Sequence, residues 1–415
     1  MYYLGIDVAK RAHRAVILDS REEKIGKSFS FDNSQEGMKS LILHLKKLNI
    51  SKTELLVGME ATGNYWENLY SFLANKGFKV ILLNPYQVNK FRQALGKKAK
   101  TDDIDALVTA GLLRSNEYHA SYIPIEKIEN LRELVKLRYE FTKDLRNYKR
   151  QAMALLNLIF PEYQKTVIKN PFAIASTAIL KEYPTARDLA QANPKKIERI
   201  VRSFQGNNFN IKEIDYLISM AKDSIYSGKS AQIRGMNLKM ILSHVQSFEN
   251  SIKTIDKQID AILLPSRDKD DQPGGNLFTI SGVGPKTIAT FLSVVGVSGA
   301  AFENGTKITG HLGFFPQILE SGEKRKDKKI SKRGPKYARW GLYIAAVSCI
   351  KHNPELRQLY YNKLSQGKTG KQALIYVAKK LTHMMLSMLK SGETYNPERV
   401  FKPVHLYKCQ RAVIT

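Results

Sequence analysis

Five acidic residues near the start of the chain have settings that invite a chemical reading: Asp7, Glu60, Asp102, Asp103 and Asp105. Asp7 closes the apolar run "YYLGID" and Glu60 closes "ELLVGME", so each ends a strand-like segment with a carboxylate. Asp102 and Asp105 stand three apart at the start of a helical pattern, "KTDDIDALVTAGLL", and can face one spot. Acids in a first helical turn also suit the positive end of the helix dipole. That accounts for Asp102 or Asp103 alone, but not for Asp7 or Glu60. If the two strands are neighbours whose ends face that helix, four carboxylates converge. Such a group repels itself and raises its own pKa values unless a cation neutralises it. One or two Mg²⁺ ions suit carboxylate oxygens and leave positions for phosphate oxygens.

The elements that must position these acids are legible from periodicity. "YYLGIDVA", "HRAVILD" and "KIGKSFSFD" read as three strands, followed by a helix, "SQEGMKSLILHLKKL", that Ser34 is placed to cap. The strand "ELLVGME", a helix over 64–74, the strand "KVILLNP" and helices over 86–95 and 102–114 complete the region. The order predicts one mixed sheet covered by helices. Residues 125–160 turn helical, with Leu137, Phe141, Leu145, Tyr148, Ala152, Leu155 and Ile159 spaced by threes and fours. Leu238, Ile241, Val245, Phe248, Ile252, Ile255, Ile259 and Ile262 repeat the rhythm: either a coiled-coil seam, within one chain or between two, or an ordinary bundle helix. Residues 166–235 between them read as helical and polar, and "SRDKDDQPGG" over 266–275 reads as a linker. Three domains are expected, over 1–120, 121–270 and 271–415.

The 66 Lys and Arg against 38 Asp and Glu leave a formal charge of +28, which favours a polyanionic partner. No apolar run reaches spanning length and "MYYLGIDVAK" has no leader character, so a soluble cytoplasmic protein with no membrane partner is expected. The two cysteines, Cys349 and Cys409, are too few for a disulfide framework or a zinc site, so any metal would rest on carboxylates.

In the second half, Ser321 precedes Lys324, Arg325, Lys326, Lys328, Lys329, Lys332, Arg333 and Lys336, opposed only by Glu323 and Asp327. A hydroxyl attacking phosphorus needs cations around the phosphoryl oxygens. The same run also suits a solvated phosphate-binding loop in which Ser321 is incidental. Upstream, "SGVGPKTIA" places Gly282, Gly284 and Lys286 at a hairpin opening a helix, where backbone N–H groups can take a phosphate. A tight turn that needs glycine is the plainer account. Tyr65, Trp66, Tyr86 and Phe91 lie near the acids beside Arg92, Lys97, Lys98 and Lys100. The lysines read as backbone contacts, and the aromatics suit either stacking on bases or core packing.

The blocks "GID", "MEATGNYW", Asn84-Pro85 and "KTDDIDA", in that order, resemble the DEDD transposases of bacterial insertion sequences, a family that includes the pilin-gene invertases. The resemblance extends to Gly313, Pro316, Ser321 and Gly322 as a "GxxPxxxxSG" pattern. "LGID" also opens sugar-kinase and actin-like ATPase domains, but no second phosphate loop or repeat of the first domain follows here. The resemblance implies an RNase H-like (RuvC-like) α/β domain, a helical or coiled-coil middle and a mainly helical C-terminal domain. It implies Asp7, Glu60, Asp102 and Asp105 as the Mg²⁺ tetrad and Ser321 as the nucleophile of a phosphoserine link to DNA. It also implies donor and target DNA as partners, a structured guide RNA encoded by the element, a dimeric or tetrameric assembly and residence at the nucleoid. The rival enzyme is a RuvC-like endonuclease using water as nucleophile; the non-enzymatic rival is a nucleic-acid-packaging protein with a vestigial acid cluster. All three predict that affinity, titrated at rising salt, falls with a log-log slope of about 0.9 per neutralised phosphate. An affinity indifferent to salt would contradict all of them.

Overall fold

The computed structural model describes residues 1–61, 63–96, 101–165, 168–204, 211–264, 273–321, 324–332 and 334–401. They form two compact units, Met1–Ile123 and Pro124–Thr415.

The first unit runs β1 (Tyr2–Asp7), β2 (Ala12–Leu18), β3 (Phe29–Asp32), α1 (Gln35–Lys47), β4 (Leu55–Glu60), α2 (Trp66–Asn75), β5 (Lys79–Leu83), α3 (Pro85–Ala94) and α4 (Asp102–Ser115). Its sheet has the order β3-β2-β1-β4-β5. The β1, β4 and β5 strands are parallel, and β2 is antiparallel to both β1 and β3. This is an RNase H-like α/β arrangement. Alternation divides the strands between two faces. Leu4, Ile6, Val57, Met59 and Leu82 share a core with Leu41 and Leu45 of α1 and Leu69 and Leu73 of α2. On the opposite face Leu56 and Leu83 pack with Val88 of α3 and Val108, Leu112 and Leu113 of α4. Val16 and Leu18 meet Ala106 and Ala110 there.

Two glycines set the height of α4 above the sheet. A Cβ on Gly5 would lie 2.2 Å from the Ala106 carbonyl oxygen and 2.4 Å from the Ala110 nitrogen; one on Gly58 would lie 2.4 Å from Leu113 Cδ1. Helix starts are fixed by side chains. Ser34 accepts from the Gly37 N–H, as its position predicted, Asn84 accepts from Tyr86 ahead of α3, and Thr101 accepts from Ile104 at the start of α4.

The second unit contains α5 (Glu126–Ile159), α6 (Ile174–Glu182), α7 (Ala186–Ala190), α8 (Pro194–Arg202), α9 (Ile211–Lys222), α10 (Ala231–Leu263), α11 (Pro285–Val295), α12 (Gly305–His311), β6 (Pro316–Ser321), β7 (Lys324–Ile330), α13 (Lys336–His352), α14 (Pro354–Ser365) and α15 (Gly370–Ser391). The two long helices, α5 and α10, pair antiparallel within the chain, tied by Arg138–Asp256 and Lys149–Glu249 contacts of 2.6 Å and by Phe141 against Phe248. Much of the expected seam is borne out: Phe141 and Tyr148 meet Phe248, and Ala152, Ile159, Leu238, Val245, Ile255 and Ile259 are buried. It departs at the start of α5, where Leu131 and Val135 are buried while Leu137 is 44% exposed.

The segment read as polar, 166–235, builds an apolar core of its own: Ile179, Leu189, Ile197 and Leu217 surround Tyr163 with Leu238 of α10. Its cations occupy only the outward face; Ile197 and Val201 of "PKKIERIVR" are buried. Residues 266–272 of the expected linker lie outside the described residues, and 275–279 form a single 3₁₀ turn. The remaining helices share one core with the first turns of α5 and the last turns of α10.

The basic run read as a loop is strand: β6 and β7 form an antiparallel ladder that pairs Ser321 with Lys324 and Ile318 with Asp327. Among the described residues no helix is long and apolar enough to cross a membrane. Because the backbone of α4 occupies the space above Gly5, Gly5→Ala is expected to destabilise the sheet by about 3 kcal/mol. Accelerated amide exchange in β1 of the full-length chain would register it. Gly284→Ala, whose Cβ would meet nothing within 4 Å, should change stability by less than about 0.5 kcal/mol. Equal protection in wild type and Gly5→Ala would refute the constraint.

Candidate active site and nucleic-acid interface

Asp7 and Glu60 are the last residues of β1 and β4, adjacent parallel strands whose preceding residues, Ile6 and Met59, are paired. Asp7 has the parity of Tyr3 and Gly5, and Glu60 that of Leu56 and Gly58, so both belong to the face that α4 covers. Both are half-buried. The first turn of α4 carries Asp102, exposed, and Asp105, 7% exposed. The expected acids thus share one face and one end of the sheet.

Two arginines neutralise part of this charge. Arg14 of β2, opposite Asp7 in register, donates to both carboxylate oxygens of Asp103, with Nη2 at 3.2 Å from Oδ2. It also donates to Ser30 Oγ at 2.8 Å and Ser28 Oγ at 3.0 Å. The Arg14 hydrogen bond, helped by Ser28, holds the Asp103 carboxyl below the usual carboxylate range. Asp103, the acid left out of the expected tetrad, therefore ties the start of α4 to β2.

Arg92 of α3 lies 2.7 Å from Asp105 Oδ1, with the two side chains 14% and 10% exposed. The charges touch without the alignment a hydrogen bond needs, so Asp105 Oδ1 and Arg92 Nε are buried and unsatisfied. The proximity counts for neutralising charge; the missing hydrogen bond means that the pair is not saturated. Sequence reasoning placed Arg92 beside the acids only as a backbone-holding cation and passed over Arg14. The one signal for Arg14 was a cation interrupting an apolar strand.

Among the described residues no three acidic, histidine or cysteine side chains gather closely enough to hold a metal ion as they stand. The donor chemistry nevertheless suits magnesium: carboxylates from two strand ends and one helix start, with Asp105 Oδ1 buried and lacking a hydrogen bond.

The second unit carries Ser321 as the last residue of β6, described by its backbone, as are Lys324, Arg325, Lys326, Lys328 and Lys329 of β7. The base of this hairpin is pinned: Ser331 N donates to Phe315 O at 2.7 Å and Lys332 N to Gly313 O at 3.2 Å. Lys332 and Lys336 are exposed, while Lys97, Lys98, Lys100, Gly322 and Arg333 lie outside the described residues. Gly282 has φ +92°, and a Cβ there would lie 2.9 Å from Cys349 Cα, so glycine is required at this turn. Gly284, extended at φ −121°, caps α11 with open space around it. Lys286 follows, its Nζ 3.9 Å from carboxylates of Asp256 and Asp260. Of the aromatics near the acids, Trp66 and Phe91 pack against core while Tyr65 and Tyr86 are 42% and 54% exposed.

Comparison with known proteins follows this division. A family model described as "Transposase" matches residues 4–161, which span all four expected acids, and a model of the "Transposase IS116/IS110/IS902 family" matches residues 275–361, which include Ser321. The chain is 23% identical over 396 residues to the pilin gene-inverting protein of Moraxella bovis, covering 95% of this chain and 97% of that protein. It is 21% identical over 396 residues to the insertion element IS110 43.6 kDa protein of Streptomyces coelicolor, covering 95% of each. Over 404 residues it is 23% identical to the insertion element IS116 44.8 kDa protein of Streptomyces clavuligerus, covering 95% of this chain and 96% of that protein. With models matching more than half of its residues and relatives aligned over nearly its whole length, the chain belongs to the IS110-type DEDD transposases, a family of DNA transposases and recombinases.

Proposed function

We propose that this transposase cuts and rejoins DNA strands through a phosphoserine intermediate on Ser321, with Asp7, Glu60, Asp102 and Asp105 holding Mg²⁺. The observation that supports the reading is the placement of two strand-terminal carboxylates and the acidic first turn of α4 on one face and at one end of the sheet. Bound there, Mg²⁺ would supply positive charge to the phosphoryl oxygens as charge builds on them. Ser321 Oγ attacks phosphorus, a new P–O bond forms, and the bond to a deoxyribose oxygen breaks, that oxygen taking a proton. A hydroxyl of another strand reverses the step and frees the serine, so the phosphodiester is conserved and no ATP is needed. The lysines and arginines of β7, with Lys332, Arg333 and Lys336, hold the DNA backbone on either side of the attacked phosphate. Lys97, Lys98 and Lys100 do the same beside the acids, and Gly282, Gly284 and Lys286 add a backbone contact.

The acids lie in one unit and the serine in the other, so the reaction draws on both, from one subunit or from two of a homo-oligomer. We read the chain as an acid-bearing domain over 1–120, a helical middle over 121–270 and a serine-bearing domain over 271–415. A structured RNA encoded by the element selects donor and target by base pairing, in the cytoplasm at the nucleoid. A second reading, hydrolysis by water, is favoured by the confinement of all four acids to the first unit.

DNA retained on the wild-type chain in a denaturing gel, and lost in Ser321→Ala, is the expected result. Metal-dependent cleavage without retention by either protein would favour water instead. Arg92→Leu leaves a buried Asp105 uncompensated and is expected to cost about 3 kcal/mol. If the acids hold Mg²⁺, added Mg²⁺ should raise the melting temperature of this variant more than that of wild type. An equal response of the two proteins would speak against Asp105 as a ligand.

A further inference from the structure

A groove of about 270 Å³ lies between α5, α11 and α13. Tyr139 of α5 and Tyr337 and Trp340 of α13 line it, all three only half-buried, and the rings of Tyr139 and Trp340 meet edge to face at 5.6 Å. The exposed guanidinium of Arg146 stands 5.6 Å from the centre of the Trp340 ring. Gly284 forms part of the lip. Neither its extended backbone nor its surroundings require glycine in the free chain, which leaves room there for an incoming group. The groove's cations are largely committed: Arg138 donates to Asp256 Oδ1 at 2.6 Å, and Lys286 sits 3.9 Å from Asp256 and Asp260.

Half-buried rings beside nearly balanced charge suit a flat, weakly charged group better than a phosphate. Cavities of about 300–1,000 Å³ take drug-sized ligands, so a groove of about 270 Å³ has room for a single base. A base inside a duplex has its faces covered by stacking, whereas an unpaired nucleotide offers one. We infer that this groove takes one unpaired nucleotide of a single-stranded nucleic acid, its base against Trp340 and Tyr139 and its phosphate toward Gly284 and Arg146. The inference rests on the nucleic-acid part of the proposed function and needs none of the Ser321 chemistry. DNA and RNA share the chemistry that the groove recognises.

The chain has two tryptophans, so in full-length Trp66→Phe protein Trp340 is the sole reporter. Titration with a single-stranded DNA, an RNA of the same sequence and the matching DNA duplex should quench its emission saturably with one or both single strands and not with the duplex. Quenching by one strand type alone assigns the source. Trp340→Leu should weaken single-strand binding about tenfold, the loss of one stack, and Trp340→Phe much less, with duplex affinity unchanged in both. If Trp340→Leu fails to fold, the quenching and the Phe variant decide. Equal quenching by duplex, or single-strand affinity untouched in Trp340→Leu, overturns the inference. Duplex binding with a silent Trp340 sinks this inference alone, whereas no binding of any nucleic acid sinks the proposed function as well.

Discussion

The backbone of α4 lies directly on β1, and the candidate site depends on that contact. Ala106 and Ala110 occupy the space a Cβ would take on Gly5, and Leu113 does the same over Gly58. Asp105 immediately precedes the residue seated on Gly5, and its carboxylate is buried against Arg92 of α3 rather than turned out to solvent. Thr101 caps the helix one residue before Asp102, which fixes where the acidic turn begins. A larger residue at position 5 would lift the helix and separate the two sources of carboxylate.

The same contact distributes work among the three acids of the first turn. At about 100° per residue, Asp102 and Asp105 fall roughly 60° apart, while Asp103 lies on the flank. Asp103 meets Arg14 and fastens the helix to β2. Asp105 is desolvated and faces Arg92 in an orientation that cancels charge but leaves an oxygen unsatisfied. A carboxylate so placed is costly, and Arg92 offsets that cost in the free chain.

What was legible follows from period and caps. The five strands, the Ser34 cap and the order of helices in the first unit show in alternation and turn chemistry, because one face of each element must be apolar. Arg14 and Arg92 as partners were not legible: a pairing across 89 residues, as between Arg14 and Asp103, has no local signature. The α5 seam departs only at its start, where Leu137 and Val135 are equally apolar and only packing chooses between them. The β6–β7 ladder was hidden because "KRKDKKI" has no hydrophobic alternation to announce a strand. Ser321 was singled out by its neighbours' charge, but its place at the strand end came from backbone pairing.

The charge excess is unevenly committed. Along α5 and α10 the cations meet acids across the pair, as Arg138 meets Asp256 and Lys149 meets Glu249. In the sequence from Lys324 to Lys336 only Asp327 opposes eight cations. Unopposed cations are therefore concentrated in the sequence around Ser321, where the proposed reaction would gather charge on phosphorus. At the groove beside α11, Asp256 and Asp260 offset Arg138 and Lys286, so in the inferred complex Tyr139 and Trp340 would decide what binds. On the proposed readings the hairpin would draw phosphate by Coulomb attraction, which salt weakens, while the groove would add ring stacking to the same attraction.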